Sequence, residues 1–447
     1  MSIASKNPRL AITSASTYWH RSEIGETDTT LWELGSLKEA AGDQVEIGAT
    51  LYSEPIGAKV GRLFKQSLPL NLGGVLATGA VGAGLVAAGA LALPVAAAMA
   101  VGLPLGITAA AITGKVREDL SRKSEQPTGL TVQTTGPEHK FENLDDSAEP
   151  SDALRETLML NMKRYPAARQ VVHLNGHGQG NKAIAGLEAE KANAALQEAV
   201  RKSGRPINVV FNEACFNANF EALHGQADSA DFAVAVEDQA PKSNAIGGRI
   251  PLEQVFSQAL EASDDRQAAI QMARAAGAHF DRDEPAPIAG VPWNQRHLSQ
   301  HKRARWTNID STVSAFDLKA LKQKLSPALD KVGKAFTRAL KSDYSMKEIF
   351  DSARRDNAID GQIDLVDMGG FLEQVMRRAP EHAPDIDQAL KAMDDSILYT
   401  RTGAERPMSG LSFHSRPGKL LGSNPASKAF ADSGLPEGWT DFVERAF

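Results

Sequence analysis

The alternation of apolar strands and helices in the middle of the chain constrains the fold more than any other feature. Strands are predicted over residues 169–174, 207–211 and 232–236, and helices over 152–164 and 188–201. Strands separated by helices form crossover units, which place the strands side by side and parallel. The sequence therefore predicts an α/β core with a mainly parallel sheet flanked by helices.

The composition allows a large folded core. Of the 447 residues, 42% are hydrophobic and 23% are charged, which excludes a disordered, collagen-like or coiled-coil chain. The net charge of -6 supplies no overall attraction for phosphate backbones, so nucleic acid is not an expected partner. The single cysteine, Cys215, excludes an intramolecular disulfide and any site built from several cysteines.

A long uncharged segment interrupts the N-terminal third of the chain. Residues 66–114 contain no charged side chain, are rich in small and apolar residues, and hold two spans near the ~20 residues that cross a bilayer as a helix. Basic residues flank both ends, as expected of a hairpin with both ends on one side of a membrane. The sequence predicts a hydrophobic hairpin, transmembrane or alternatively buried as an Ala-rich pair of helices in a soluble core. Residues 1–16 lack the pattern of a secretory signal.

Chemically useful side chains follow two of the predicted strands. His177 and Gly178 come after the first apolar strand, and Glu213 and Cys215 come after the second. Because functional groups gather beyond the carboxyl ends of adjacent parallel strands, His177 and Cys215 are expected to face each other.

A cysteine and a histidine so placed suit hydrolysis of amides by a thiol. The histidine would generate the thiolate, and the N–H groups of Gly178 and Cys215 would stabilise the oxyanion. Two other histidines are alternatives to His177. His173 lies inside the strand pattern and is predicted to be packed and hydrogen-bonded, whereas His224 is predicted to be exposed on the helix after Cys215.

A hydrophobic block that ends in His177-Gly178, followed by one that ends in Glu213-Ala214-Cys215, resembles the caspase-like cysteine peptidases. The wider chain resembles the clostripain family. Further segments similar to that family occur in the family's order, at residues 230–238, 312–318, 364–371, 409–413 and 439–442. The resemblance implies a caspase-like sheet and a Cys-His endopeptidase that requires no cofactor. It also implies that residues 312–318 start a C-terminal helix, and Ser314 and Asp317 match a capping box there. The helix that follows should be kinked or divided at Pro327.

The resemblance also implies a substrate preference. Family members cleave after Arg or Lys with an acidic residue two positions before the nucleophile, which is Glu213 here where Asp is usual. Glu237 and Asp238 are expected to line the same pocket or to hold its walls. The family is often activated by self-cleavage between the two catalytic strands, and Lys191 is the candidate here.

No metal site is predicted, although calcium is an optional ligand. A partial match to an EF-hand loop comprises Asp356, Asp360, Gly361, Ile363, Asp364 and Asp367.

The chain thus divides into four predicted parts. They are the start of the peptidase domain (1–65), the hydrophobic insertion (66–114), the catalytic α/β core (115–300) and a mostly helical C-terminal region that completes the peptidase (311–447). The sequence predicts a membrane-associated endopeptidase acting on proteins or peptides, and a bacterial effector secreted into a host cell without a cleavable signal peptide. The alternative is an inactive membrane-inserting or scaffold protein on a peptidase-like fold.

Overall fold

The computed structural model describes residues 9–18, 34, 36–38, 40–53, 128–135, 138–143, 149–176, 178, 180, 183–238, 250, 252–280, 312–360, 365–402, 408–415 and 434–447. The predicted hairpin of residues 66–114 lies outside these ranges. Within them, none of the helices combines the length and the apolar character that crossing a bilayer requires.

The described residues form strands that belong to one large sheet and two small ones. In chain order they are β1 (Leu10–Tyr18), β2 (Val45–Ser53), β3 (Thr128–Thr135), β4 (Glu138–Asn143), β5 (Arg169–Gly176), β6 (Ala183–Ile184), β7 (Leu187–Glu188), β8 (Ile207–Ala214), β9 (Ala230–Val236), β10 (Val313–Asp317), β11 (Ala358–Asp360), β12 (Leu365–Asp367), β13 (Ile397–Arg401) and β14 (Ser412–His414).

The helices follow the same order. They are α1 (Pro150–Arg164), α2 (Ala189–Ser203), α3 (Phe220–Gln226), α4 (Leu252–Glu261), α5 (Asp265–Phe280), α6 (Leu318–Ala320), α7 (Ser326–Ser342), α8 (Ser345–Asp356), α9 (Met368–Arg378), α10 (Ala383–Ser396) and α11 (Glu437–Ala446). A π-helical turn, Leu321–Leu325, joins α6 to α7, so the helix is divided just before Pro327 as predicted.

The large sheet has a parallel centre and antiparallel edges. Its nine strands run in the order β13-β10-β9-β8-β5-β1-β2-β3-β4. The neighbours β9, β8, β5, β1 and β2 pair in parallel, whereas β10 and β13 at one edge and β3 and β4 at the other pair antiparallel. The predicted mainly parallel α/β sheet is thus confirmed, and the inferred strands 169–174, 207–211 and 232–236 are its central ones.

Both faces of the central strands are buried, which explains their nearly continuous apolar sequences. Helices α1, α2 and α3 and the C-terminal helices cover one face, where Leu158, Leu196 and Phe220 lie in one apolar cluster. Helices α4 and α5 cover the other face, where Phe256 and Met272 lie in a second cluster.

The predicted start of the C-terminal helix at residues 312–318 is wrong in part. Residues Val313–Asp317 form strand β10, which is paired on one side with β9 and on the other with β13. Pairing on both sides supplies the backbone with hydrogen bonds that a helix would otherwise provide. The helix begins only at Leu318, and Asp317 alone caps it, because its carboxylate accepts the N–H of Ala320. Ser314 does not take part in the cap, since it lies within the strand.

The C-terminal region closes over the first face of the sheet. Gly333 of α7 touches Gly438 of α11, and a Cβ built on Gly333 would stand 2.2 Å from the Gly438 carbonyl oxygen. Rings from four helices and β14 fill the space beside this crossing: Phe336, Phe350, Phe371, Phe413, Trp439 and Phe442. These aromatic contacts hold the C-terminal region together, and the apolar cluster to which the rings belong also includes Leu196 and Phe220 of the α/β core.

Candidate active site

Strands β5 and β8 are neighbours and end at the same edge of the sheet. Gly176, the last residue of β5, is the Cα partner of Ala214, the last residue of β8. Residues 177 and 215 follow directly. His177 lies outside the described residues, so the expected contact between its imidazole and Cys215 stays a prediction.

Gly178 lies against the backbone of Cys215. A Cβ built on Gly178 would stand 1.8 Å from the Cys215 carbonyl oxygen and 2.7 Å from its nitrogen. Such distances leave no room for a side chain, so only glycine fits here. The loop after His177 and the loop after β8 are thus in direct contact, and Cys215 is partly exposed beside them.

The turn after Cys215 is held by bonds to the end of β9. Phe216 has a positive φ of 62°, which is uncommon for a residue other than glycine. Its N–H donates to the carbonyl of Asp238 at 2.7 Å, and the N–H of Ala218 donates to the carbonyl of Val236 at 2.8 Å. These bonds fix the left-handed turn that terminates strand β8 at the cysteine.

Asn217 joins the two loops. Its side-chain amide donates to the carbonyl of Gly180 at 3.1 Å and to that of Ala183 at 3.3 Å. Asn219 then starts α3, because its side chain accepts the N–H of Ala222 at 2.9 Å. Asn217 therefore fixes the loop after Cys215, and Asn219 caps the helix that follows it.

Glu213 is buried and bonded within the sheet. Its Oε2 lies 2.8 Å from Nε2 of His173, and Nδ1 of His173 lies 3.0 Å from Oγ of Ser14. Glu213 is 5% exposed and His173 is fully buried. The prediction that His173 is a packed, hydrogen-bonded histidine is confirmed.

Glu237 and Asp238 differ in their surroundings. Glu237 is fully buried, and its Oε2 accepts the N–H of Gly410 at 2.8 Å. Burial, the neighbouring carboxylate of Asp367 and that of Asp238 raise the pKa of Glu237 well above its usual value. A carboxyl group in this position favours its neutral form, which suits the expected role of holding the wall of a pocket better than that of binding a cation. Asp238 is half-buried and adjoins the cysteine turn through its carbonyl.

Lys191 lies in the first turn of α2. Its ammonium is paired with Glu188 at 3.3 Å and with Glu149 at 3.5 Å. Side-chain hydrogen bonding to Glu188 and the charge of that carboxylate raise the pKa of Lys191. Self-cleavage at this residue would require the start of the helix to unwind.

The partial EF-hand sequence is only partly visible. Residues Gly361, Ile363 and Asp364 lie outside the described residues. The Asp356 carboxylate accepts bonds from Ser352 and Gln374, and Asp367 caps α9 through the N–H of Gly370. In the part of the chain that the structure describes, no three His, Cys, Asp or Glu residues are grouped as a metal site would require.

The prediction that His224 is exposed is wrong. It is 2% exposed, because α3 turns this face inward, and its ring packs 5.6 Å from that of Phe220. Burial, with the nearby charge of Lys322, lowers the pKa of His224 to about 4. The imidazole is therefore neutral over most of the pH range, and α3 lies on the face of the sheet opposite to the apolar cluster that Cys215 contacts.

A second buried group beside the site was not recognised in the sequence. His414 of β14 lies against Gly180, where a Cβ would stand 2.1 Å from His414 Nε2. The backbone N–H of His414 donates to Oε1 of Glu221 at 3.2 Å, and burial raises the pKa of Glu221 to about 8. Neither residue belongs to a recognisable motif, since they come together only when the C-terminal region folds onto α3.

Comparison with solved structures identifies the architecture. A secreted C11 cysteine protease from Bacteroides thetaiotaomicron, solved with an irreversible peptide inhibitor, superposes with a TM-score of 0.50 at 11% sequence identity. The match covers 98% of this chain and 99% of that one. A second structure, the C11 protease "iotapain" from the same organism, gives a TM-score of 0.51 at 9% identity over 98% and 99% of the two chains.

The chain has the clostripain-type fold. The resemblance read from the sequence is thus confirmed at the level of architecture by superpositions that span nearly both whole chains. No protein-family model and no curated protein matches the sequence. The clostripain-type fold is therefore preserved here at identities far below those at which sequences are readily aligned.

Proposed function

We propose that the protein is a cysteine endopeptidase in which Cys215 is the nucleophile and His177 the base. The observation that carries the proposal is the contact of Gly178 with the Cys215 backbone, at the shared edge of β5 and β8 in a clostripain-type fold. This contact joins the residue after His177 to the cysteine itself, which is the relation that a catalytic dyad on adjacent strands requires.

The reaction follows from these residues in two steps. His177 accepts the thiol proton, and the thiolate of Cys215 attacks the carbonyl carbon of the scissile amide. The N–H groups of Cys215 and Gly178 are proposed to donate to the resulting oxyanion. His177 returns the proton to the leaving amine as the C–N bond breaks and a thioester forms. Water, deprotonated by His177, then attacks the thioester, releasing a carboxylic acid and restoring the thiol.

The proposed specificity is for Lys or Arg before the cleaved bond. Glu213 stands two residues before Cys215 and would pair with the cationic side chain, with Asp238 beside the cysteine turn adding negative charge. Glu237 would support the wall of this pocket from the core. The proposal further includes self-cleavage at a basic residue between β5 and β8, for which Lys191 stays the candidate. It requires no cofactor, and calcium is an optional ligand.

Association with a membrane through residues 66–114 is part of the proposal and rests on the uncharged sequence of that segment. Liposome flotation of the full chain, compared with a variant lacking residues 66–114, tests it. The proposal includes secretion, in keeping with the secreted C11 protease of the same fold, and a role as a bacterial effector, which rests on the sequence alone. The rival function is a membrane-inserting or scaffold protein without peptidase activity.

Hydrolysis of fluorogenic peptides that end in Lys, Arg, Asp or Leu tests the peptidase. We expect release after Lys and Arg, and its loss in both Cys215→Ala and His177→Ala. His224→Phe is the control, because it removes a buried histidine of α3, which covers the face of the sheet opposite to the cluster that Cys215 contacts. No release by folded protein, with and without calcium and after limited proteolysis, would favour the rival function.

A further inference from the structure

Three neighbouring strands supply one hydrogen-bonded side chain each to a buried row. Ser14 of β1, His173 of β5 and Glu213 of β8 are joined by contacts of 3.0 and 2.8 Å through the two ring nitrogens of His173. Ser14 and His173 are fully buried. The row ends at Glu213, two residues before Cys215, so it leads from the interior of the sheet to the proposed active site.

The ring of His173 is fixed by its apolar surroundings. It stacks on Phe211 with centroids 5.4 Å apart and meets the edge of Phe256 at 5.6 Å. A ring packed in this way cannot follow a moving partner. The Glu213 carboxylate is therefore bonded to a rigid group, whereas a solvated carboxylate would sample several rotamers.

The bonding partners determine the tautomer of His173. A carboxylate only accepts, so Nε2 carries the proton and donates to Glu213. Nδ1 then accepts, and the hydroxyl of Ser14 is its donor. Ser14 thus holds the imidazole in the form that can bind the ionised carboxylate.

We infer that His173, oriented by Ser14, is a positioning residue that sets the preference for basic substrates. This inference rests on the proposed function. A glutamate at position 213 is one methylene longer than the aspartate usual in the resembled family, and this length lets its carboxylate reach His173. A carboxylate offers about four lone-pair sites, so it can accept from His173 and from a substrate cation together.

Without the N–H of His173, the Glu213 carboxylate in these apolar surroundings would favour its neutral form or adopt another rotamer. A neutral carboxyl group does not attract ammonium or guanidinium as a carboxylate does. Loss of the His173 donor would therefore weaken the preference for basic substrate side chains and leave the attack by the thiolate unchanged.

The test compares His173→Phe, which keeps the ring packing and removes both nitrogens, with His173→Gln, which keeps an N–H donor for Glu213. The quantity measured is the ratio of kcat/KM for a Lys or Arg peptide to that for a matched peptide that ends in norleucine, an uncharged analogue of lysine. We expect His173→Phe to lower this ratio about tenfold or more, since hydrogen bonds to charged groups are the strong ones. His173→Gln should retain most of the wild-type ratio, and Ser14→Ala should give a ratio between those of the two His173 variants.

A double-mutant cycle shows whether His173 acts through Glu213. In a Glu213→Gln background, His173→Phe should change the ratio by less than about twofold, because the group it positions is gone. His224→Phe is the matched control, a buried histidine exchanged for phenylalanine that should leave the ratio unchanged. Thermal unfolding of each variant identifies any loss that comes from misfolding, and Ser14→Ala is the milder variant if His173→Phe does not fold.

A binding experiment separates this inference from the peptidase proposal. Affinity for the Lys and norleucine peptides is measured by calorimetry in Cys215→Ala, with and without His173→Phe. Weaker binding of the Lys peptide alone supports the role of His173 even if the wild-type protein hydrolyses nothing. Equal discrimination with and without His173→Phe, or an unchanged kcat/KM ratio in folded His173→Phe, would overturn it.

Discussion

Gly178 packs so closely on Cys215 that a methyl group on its Cα would stand 1.8 Å from the Cys215 carbonyl oxygen. The atoms in conflict belong to the backbone, which cannot turn aside as a flexible side chain could. The loop that carries His177 and the loop that carries the cysteine are therefore held at one fixed separation.

We expect Gly178→Ala to lower kcat/KM by about 100-fold or more, since displacement of reacting groups by about 1 Å has an effect of this size. Steady-state hydrolysis of the Lys peptide measures it. Gln197→Ala, at an exposed position of α2, is the control. Full activity of Gly178→Ala would show that the two loops need not touch.

Gly333→Ala should destabilise the C-terminal region. Its Cβ would stand 2.2 Å from the carbonyl oxygen of Gly438, forcing α7 and α11 apart. Overpacking of this kind costs about 1–3 kcal/mol, which exceeds the roughly 1 kcal/mol that alanine gains over glycine within a helix. Urea unfolding checks the free energy of unfolding, with Lys331→Ala on the exposed side of the same helix as the control. An increase in stability would show that the two helices can separate without cost.

His224 should make the fold sensitive to acid. Burial and Lys322 lower its pKa from 6.5 to about 4, so below pH 6.5 the unfolded chain binds a proton that the folded chain does not. The stabilising effect is present above pH 6.5 and is lost as the pH falls toward 4. We expect His224→Phe to remove about 2 kcal/mol of the decline in stability between pH 7 and 4.5.

Unfolding by urea across that pH range measures the decline. Ser326→Ala, which removes the hydroxyl near the ring but keeps the imidazole, should retain the wild-type slope. If the free energy of unfolding of His224→Phe falls with pH as steeply as that of the wild-type protein, other groups account for the acid sensitivity.

Glu221 should act in the opposite direction. Burial raises its pKa from 4.5 to about 8, so the folded chain keeps a proton that the unfolded chain loses above pH 4.5. The contribution of Glu221 to the free energy of unfolding therefore declines from pH 4.5 until the pH passes about 8. Glu221→Gln should remove about 2 kcal/mol of the decline between pH 6 and 8.

The free energy of unfolding at pH 6, 7 and 8 checks this. Glu373→Gln, at an exposed position of α9, is the control and should follow the wild-type protein. The assignment fails if the free energy of unfolding of Glu221→Gln declines between pH 6 and 8 as steeply as that of the wild-type protein.

The parts of the fold that the sequence predicts are those determined by local pattern. Strands β5, β8 and β9 are apolar runs between turn signals, and α1 and α2 have helical periodicity, so their positions follow from the chain itself. Strand β10 was not predicted, because Ser314 and Asp317 resemble a helix cap and only pairing with β9 and β13 makes the segment extended. Tertiary pairing overrides a local signal of this kind.

The site divides in the same way. Cys215, Gly178 and Glu213 stand out because they follow strands whose order in the sheet can be inferred. The bond between His173 and Glu213 joins residues 40 positions apart, and its length depends on strand register and rotamers that no spacing rule gives. Ser14 carried no signal, since a serine in a strand is ordinary until its neighbours are known.

The pairing of Ser53 with Thr128 has a consequence for the long segment between them. These residues are Cα partners at the ends of the antiparallel strands β2 and β3. Because β2 runs parallel to β5 and β8, both residues stand at the edge where Cys215 follows its strand. The chain between them leaves the sheet and returns to it at a single point, two strand spacings, or about 10 Å, from the end of β5. Ser53 and Thr128 therefore fix both ends of that segment at the edge of the sheet where Cys215 follows β8.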